Sequence, residues 1–339
     1  MKQAMIAMSG GVDSSVAAFL AMEQGYSCQG GTMLLWGQDN TADAQAVAQK
    51  LRIPFHIFDA RREFRQQVVE PFIAAYEAGL TPNPCMLCNR TMKFSWFRDR
   101  SAEAGCEYVV TGHYARIRWE NGRPLLYAAP DRAKDQSYFL AGLTSRQLAH
   151  SLFPLGELTK EQVRSIAEEQ GFLNARKKDS QDICFIPDGN YKAFMEQYTG
   201  RQYPCGAFLD PNGRVVGQHT GAVGYTLGQR KGLGLAMGEP VYVCEKNMVQ
   251  NTVTVGPEER LFTTTLWASN CNFFPFDTLT QPLRVTAKAR SRHSAQMATV
   301  YPDENGMRVE FDEPQRAITP GQAVVLYDGD LVIGSGTIR

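Results

Sequence analysis

Ser9-Gly10-Gly11-Val12-Asp13-Ser14-Ser15 follows the apolar stretch Ala4-Met5-Ile6-Ala7-Met8 directly and leads into a helical pattern. A strand, a glycine loop and a helix in immediate succession read as a pyrophosphate cradle. Paired glycines let the backbone take positive φ values and turn its N–H groups towards an anion. A helix from Asp13 to about Gln24 adds the partial positive charge and free donors of its N-terminus. Ser9, Ser14 and Ser15 supply hydroxyls, and Asp13 can orient the loop or hold a metal. Neither G-x-x-x-x-G-K-[ST] nor G-x-G-x-x-G spacing is present, so the loop is neither a Walker loop nor a dinucleotide fingerprint.

The first half of the chain alternates strand and helix. Strands are predicted at Lys2–Met8, Ser27–Trp36, Ile53–Asp59 and Glu107–Thr111, and helices at Thr41–Leu51, Glu63–Ala78 and Asn89–Ala104. A capping box, Thr159-Lys160-Glu161-Gln162, opens a further helix that ends at Gly171. This alternation predicts a Rossmann-like α/β domain with a parallel sheet, with ligands beyond the carboxyl ends of its strands. After residue 190 the character changes. One helical stretch, Tyr191–Tyr198, is followed by short β-rich runs punctuated by glycine and proline, which suit small barrel or sandwich modules. Three units are expected: a catalytic domain over 1–190, a small central β-rich domain over 191–258, and a C-terminal β-barrel over 259–339.

The 339 residues carry 35 basic and 35 acidic side chains, which argues against indiscriminate nucleic-acid binding by the whole surface. Local basic clusters remain: Arg176-Lys177-Lys178, Arg230-Lys231, and Lys288, Arg290, Arg292 and His293. The start of the chain does not read as a signal peptide, and no apolar stretch is long enough for a membrane span. A cytoplasmic protein with reduced thiols is the expectation.

Among the eight cysteines, Cys85 and Cys88 stand out in Thr81-Pro82-Asn83-Pro84-Cys85-Met86-Leu87-Cys88-Asn89-Arg90. The prolines hold the approach extended. Cys88 is placed near a helix N-terminus with Arg90 and Lys93 close by, influences expected to favour the thiolate. Half of a zinc site and a thioredoxin-like redox pair are the alternatives, although no second C-x-x-C is present to complete a zinc site. Cys184, before Phe185-Ile186, reads from its context alone as buried packing.

Taken together with Thr111-Gly112-His113-Tyr114, Lys134-Asp135-Gln136-Ser137-Tyr138-Phe139-Leu140, Gly228-Gln229-Arg230-Lys231-Gly232-Leu233-Gly234, Phe311-Asp312-Glu313-Pro314 and Thr319-Pro320-Gly321-Gln322, these segments resemble the tRNA-specific 2-thiouridylases, the MnmA/TrmU family. The resemblance runs through nearly the whole chain in order. The glycine loop alone is shared with other PP-loop ATP pyrophosphatases. The family implies ATP-dependent adenylation at C2 of the wobble uridine in tRNA, release of pyrophosphate, and displacement of AMP by sulfur to give 2-thiouridine. ATP and Mg2+ are the implied cofactors. tRNA and a sulfur donor, either a cysteine desulfurase or a sulfur-relay protein, are the implied partners of a monomeric enzyme.

Carried over by position, Ala7, Met8, Ser9, Gly10, Gly11, Val12, Asp13 and Ser14 match the ATP loop, and Met33 and Gly112 match adenosine contacts. Cys88 matches the nucleophile and Cys184 the persulfide carrier, with a Cys88–Cys184 disulfide implied during turnover. Asn83, Pro84 and Cys85 match the segment at the target base. His113, Lys134, Asp135, Gln136, Arg290, Ser291 and Gln322 match positions linked to tRNA. Two departures matter. Cys85 stands where many members carry aspartate, and Met33-Leu34-Leu35-Trp36 lacks the usual Lys-Asn pair. Three converging cysteines raise the alternative that Cys85, Cys88 and Cys184 carry a [4Fe–4S] cluster that delivers the sulfur. A small-molecule adenylating ligase and a non-catalytic tRNA-binding protein are the more distant alternatives.

Overall fold

The computed structural model describes residues 2–37, 41–177 and 183–339. Lys178 of the first basic cluster lies outside them.

The first unit is built on a five-stranded parallel sheet: β1 (Gln3–Ala7), β2 (Ser27–Leu34), β3 (Phe55–Asp59), β4 (Tyr108–Val110) and β7 (Ser151–Leu152), in the order β3-β2-β1-β4-β7. Ala4, Met5 and Ile6 of β1 are fully buried, as a central strand covered on both faces requires. The chain moves outward from β1 to β2 and β3 on one side and returns to β4 on the other. That reversal opens a crevice at the carboxyl ends of β1 and β4.

Two helical runs carry π-helical segments. Arg61–Phe64 continues through π-helical Arg65–Val69 into Glu70–Glu77. Pro71 offers no N–H and crowds the carbonyl four residues back, and the wider π register just before it relieves both problems. Pro84–Cys88 likewise continues through π-helical Asn89–Trp96 into Phe97–Glu103. The helix predicted from Asn89 therefore starts five residues earlier, at the proline.

The central unit holds the helix Tyr191–Thr199 and a four-stranded sheet of β8 (Gly206–Leu209), β9 (Val215–His219), β10 (Tyr242–Asn247) and β11 (Thr252–Gly256), in the order β10-β11-β8-β9. The last unit is a six-stranded closed barrel. Its strands are β12 (Phe262–Phe273), β13 (Leu283–Lys288), β14 (Gln296–Asp303), β15 (Gly306–Arg316), β16 (Ala323–Asp328) and β17 (Leu331–Ile338). Pairing runs β12-β15-β14-β13-β16-β17 and closes through β12–β17.

Several elements lie outside the sequence expectations, among them β7, β17 and a hairpin that joins two units. A hairpin, β5 (Ala115–Glu120) and β6 (Arg123–Ala128), leaves the first unit and pairs with the barrel through Tyr127 and Leu331. Its turn is Asn121-Gly122, both at positive φ (49° and 76°), the pair that a tight two-residue hairpin favours. The hairpin makes the first and third units share a core. Met5, Phe97, Leu126 and Tyr138 pack in one cluster with Phe274, Val325, Tyr327 and Val332. Tyr138 Oη donates to the Ala323 carbonyl at 2.8 Å, and Asn272 Nδ2 donates to the carbonyls of Ala141 (3.0 Å) and Leu143 (2.8 Å).

Candidate active site

β1 ends at Ala7, and the loop Met8-Ser9-Gly10-Gly11 enters the helix Val12–Glu23. Gly10 has φ 73°, a conformation that L side chains rarely adopt. Hydroxyls tie the helix start to the loop: Ser14 Oγ and Ser15 Oγ both donate to the Gly11 carbonyl, at 3.0 and 3.1 Å. Asn174 secures the loop from outside, donating to the Gly10 carbonyl (3.1 Å) and to Ser15 Oγ (2.9 Å). Asp13 receives Lys160 Nζ at 2.6 Å and Tyr114 Oη at 2.8 Å on one carboxylate oxygen. Lys160, Tyr114 and Asn174 were not singled out from the sequence as site residues. They are distant from the loop along the chain, so only tertiary packing reveals them.

A cleft of about 250 Å³ opens at the strand-order reversal. Its lining includes Ala7 at the end of β1, Met8 and Ser9 of the loop, Asp13 and Ser14 from the first turn of the helix, Met33 of β2, and Gly112 and His113 after β4. Gly10 and Gly11 of the same loop, and Val12 at the helix start, are not among the lining residues. Gly112 is there because nothing larger fits: a Cβ would lie 2.7 Å from the Asp13 carbonyl carbon. His113 is buried, with Nδ1 2.7 Å from Thr111 Oγ1 and its ring between Phe94 and Phe153. Burial first, and then the Lys93 ammonium, hold its pKa well below the ordinary histidine value, so the ring is neutral.

The thiols are linked to this cleft through Lys93, which lines it and acts electrostatically on Cys85, Cys88 and Cys184. Asn83 caps the Pro84–Cys88 helix, its Oδ1 accepting from Met86 N at 3.2 Å. Cys85 and Cys88 sit on successive turns. Phe185 anchors the Cys184 segment: it is buried, with ring centroids 5.3 Å from both Phe72 and Phe194. Phe185 and Ile186 go into the core while Cys184 stays at the surface, the reverse of the packing role its context suggests. All three cysteines are free thiols and sense one another electrostatically.

The expected activation of Cys88 is not found. Desolvation in the recess pushes its thiol up to about 12, and Lys93 offsets this only in part. Cys85 and Cys184 are raised for the same reason, although solvent reaches part of each residue. A helix terminus and nearby cations favour the thiolate, but burying that charge against Trp96, Ile183 and the aromatic cluster costs more. The [4Fe–4S] alternative finds no support. Among the described residues, no set of three His, Cys, Asp or Glu side chains is placed to hold a metal ion.

Lys93 is the residue whose role the sequence understated. It lines the cleft and acts on Cys85, Cys88, Cys184 and His113 alike.

The residues matched to tRNA contacts fall into two groups. Gln136 lines the cleft, with Oε1 accepting from Tyr114 N at 3.1 Å. Asp135 accepts from Ala129 N (2.9 Å) and Ser137 Oγ (2.8 Å), and Lys134 precedes it, half-buried. The second group is distant in sequence. Arg290 donates to the carbonyls of Leu227 (3.2 Å) and Ala317 (2.7 Å) and to Thr319 Oγ1, and Ser291 beside it is half-buried. Gln322 Nε2 donates to the Thr81 carbonyl at 2.8 Å, and Thr81 N donates to the Pro320 carbonyl at 2.9 Å. The barrel loop thus grips the segment leading into Asn83 and the cysteine helix. Pro84, the first residue of that helix, is buried.

Loop, sheet order and crevice define the class: an α/β domain of the PP-loop type, extended by a small β unit and a barrel. Residues 2–188 match the family described as the tRNA methyl transferase HUP domain, 192–257 the tRNA methyl transferase PRC-barrel domain, and 263–338 the aminomethyltransferase beta-barrel domain. The tRNA-specific 2-thiouridylase MnmA of Clostridium perfringens is 46% identical over 353 residues, spanning 100% of this chain and 98% of its own. That of Clostridioides difficile is 44% identical with the same coverage, and that of Symbiobacterium thermophilum is 46% identical, covering 100% of this chain and 92% of its own. The chain belongs to the tRNA-specific 2-thiouridylase family.

Proposed function

We propose that this protein converts the wobble uridine of tRNA to 2-thiouridine, with ATP consumed as AMP and pyrophosphate. The observation that carries the reading is Lys93, which lines the nucleotide cleft and acts electrostatically on Cys85, Cys88 and Cys184. This supports phosphate activation and sulfur chemistry at neighbouring positions of one site. The full-length similarity to curated 2-thiouridylases supports the same substrate.

A urea-type carbonyl oxygen is a poor leaving group. The loop at Ser9–Ser14 holds the β- and γ-phosphates while the uridine O2 attacks the α-phosphorus. Donors aimed at the charge that develops there are worth roughly 3–4 kcal/mol each in comparable sites. Mg2+ bound with ATP would neutralise the charge on its phosphates, and Asp13, the acidic side chain among the cleft-lining residues, would hold it. Met33 and Gly112 take the adenosine.

Cys184 carries the sulfur as a persulfide received from a cysteine desulfurase or sulfur-relay protein. Its terminal sulfur attacks C2 and AMP departs. The Cys88 thiolate then attacks Cys184 Sγ, the S–S bond breaks, and the pair of electrons stays on the sulfur now bound to C2. The products are 2-thiouridine and a Cys88–Cys184 disulfide, which an external dithiol reduces before the next cycle. Cys88 attacks as its thiolate, its proton passing to solvent, and Lys93 favours that thiolate.

His113, Lys134, Asp135, Gln136, Arg290, Ser291 and Gln322 form or support the tRNA-facing surface, with Asn83, Pro84 and Cys85 beside the target base. The enzyme is read as a cytoplasmic monomer of three domains, divided near residues 190 and 258. Among the described residues, no helix is long and apolar enough to cross a membrane.

The test is reconstitution from purified protein, unmodified tRNA, ATP and a persulfide donor. Pyrophosphate, AMP and 2-thiouridine should appear in equal amounts. Cys184→Ser should release pyrophosphate without forming thiouridine. Pyrophosphate release driven by a small metabolite in the absence of tRNA would contradict the reading.

A further inference from the structure

Cys85 has no part in the sulfur transfer as written, yet it is placed for one. It lies three residues before Cys88 on the same helix, so the two side chains project from successive turns of one face. At helical pitch their Cα atoms are about 5 Å apart, inside the range that a disulfide bridges. Cys85 is also the more exposed of the two, whereas Cys88 is half-buried against the aromatic cluster. Across the recess Cys184 is electrostatically coupled to Cys85 and to Cys88. All three thiols sense the Lys93 ammonium, which favours a thiolate at each.

We propose that Cys85 is a second resolving thiol, which takes over the disulfide left by sulfur transfer and moves it onto the Cys85–Cys88 pair. The Cys85 thiolate attacks Cys88 Sγ, the Cys88–Cys184 bond breaks, and Cys184 leaves as a thiolate. One S–S bond forms as one breaks, so no external oxidant or reductant enters the step. Cys184 is thereby free to accept its next sulfur, and the disulfide awaiting reduction includes the exposed Cys85. This rests on the reading of Cys88 and Cys184 as the sulfur-transfer pair.

The experiment uses the full-length protein, reduced, desalted and oxidised with one equivalent of diamide in the absence of ATP and tRNA. It is then quenched with acid, alkylated with N-ethylmaleimide and mapped by non-reducing peptide mass spectrometry. The expected result is a Cys85–Cys88 bridge in most molecules, with Cys184 alkylated. In Cys85→Ser the bridge should instead be Cys88–Cys184. In Cys184→Ser it should remain Cys85–Cys88, so the test survives if one variant fails to fold. Recovery of Cys85 in alkylated form from the oxidised wild type overturns the proposal, whatever the other two cysteines do. A parallel sample taken after turnover with tRNA separates the two readings. Absence of 2-thiouridine there counts against the sulfur-transfer function, while the diamide map alone judges the exchange.

Discussion

Lys93 and Cys88 show how competing local effects decide a residue's state. A helix start and nearby cations favour a thiolate, but a few ångströms of hydrophobic burial outweigh them and keep Cys88 protonated, with its thiol pushed up to about 12. Below that value the thiolate fraction rises about tenfold per pH unit, so alkylation of Cys88 by iodoacetamide should accelerate across pH 7 to 10 without a plateau. Lys93→Met removes a cation that opposes desolvation at this thiol. The Cys88 pKa then moves further up, and alkylation at any fixed pH in that window slows. A rate–pH profile unchanged by Lys93→Met would show that the ammonium does not act on this sulfur. The same burial acts on stability with a defined sign. Unfolded Cys88 loses its proton near the ordinary thiol value while folded Cys88 holds it, so its contribution is present at neutral pH and fades as pH rises from about 9 towards 12.

Among the elements, the glycine loop and the turn after β4 are fitted to one another. Gly112 allows the backbone following β4 to lie against Asp13, and an added Cβ would meet main-chain atoms that cannot step aside. Gly112→Ala should therefore displace the start of the Val12–Glu23 helix. A misplacement of about 1 Å in a positioned reactive site costs on the order of 100-fold in rate. ATP-dependent pyrophosphate release should fall by about that much while the far-ultraviolet circular dichroism stays native. Full activity in this variant would mean that the contact is slack. The loop itself was readable because one local pattern, strand–glycines–helix, specifies its geometry. The β5–β6 hairpin carried an equally local signal in Asn121-Gly122, and it went unread because an α/β alternation was expected around it. Strand β17 was hidden for a different reason. Gly334 and Gly336 look like turn punctuation, yet they are glycines because β12 crosses so closely that a Cβ at Gly334 would lie 2.3 Å from the Asn272 carbonyl oxygen. Of the site, the loop carrying Asp13 could be read from its neighbours in sequence, whereas the state of Cys88 could not. Lys160, Asn174 and Gln322 could not be assigned their partners, which lie more than 140 residues away along the chain.

In the whole molecule, the barrel does more than extend a surface. Its core is continuous with that of the parallel-sheet domain, and its 319–322 loop holds the Thr81–Pro82 carbonyls that lead into the cysteine helix. Arg116, buried, pairs with Asp330 at 2.7 Å, and Arg132 pairs with the same carboxylate, so charge ties the two units as well. Truncation after residue 258 should expose Phe97, Leu126 and Tyr138 and give a fragment that binds hydrophobic dye and unfolds without a cooperative transition. A fragment with a sharp calorimetric transition would show that the parallel-sheet domain stands alone. The central claim, that nucleotide cleft and thiols form one site for thiolating tRNA, is met most directly in the cell. Nucleoside mass spectrometry of tRNA from a strain lacking this gene should find 2-thiouridine derivatives absent at the wobble position, restored by the wild-type chain and not by Cys88→Ser. Persistence of the thiolated nucleoside in the deletion strain, or its restoration by Cys88→Ser, would contradict the claim.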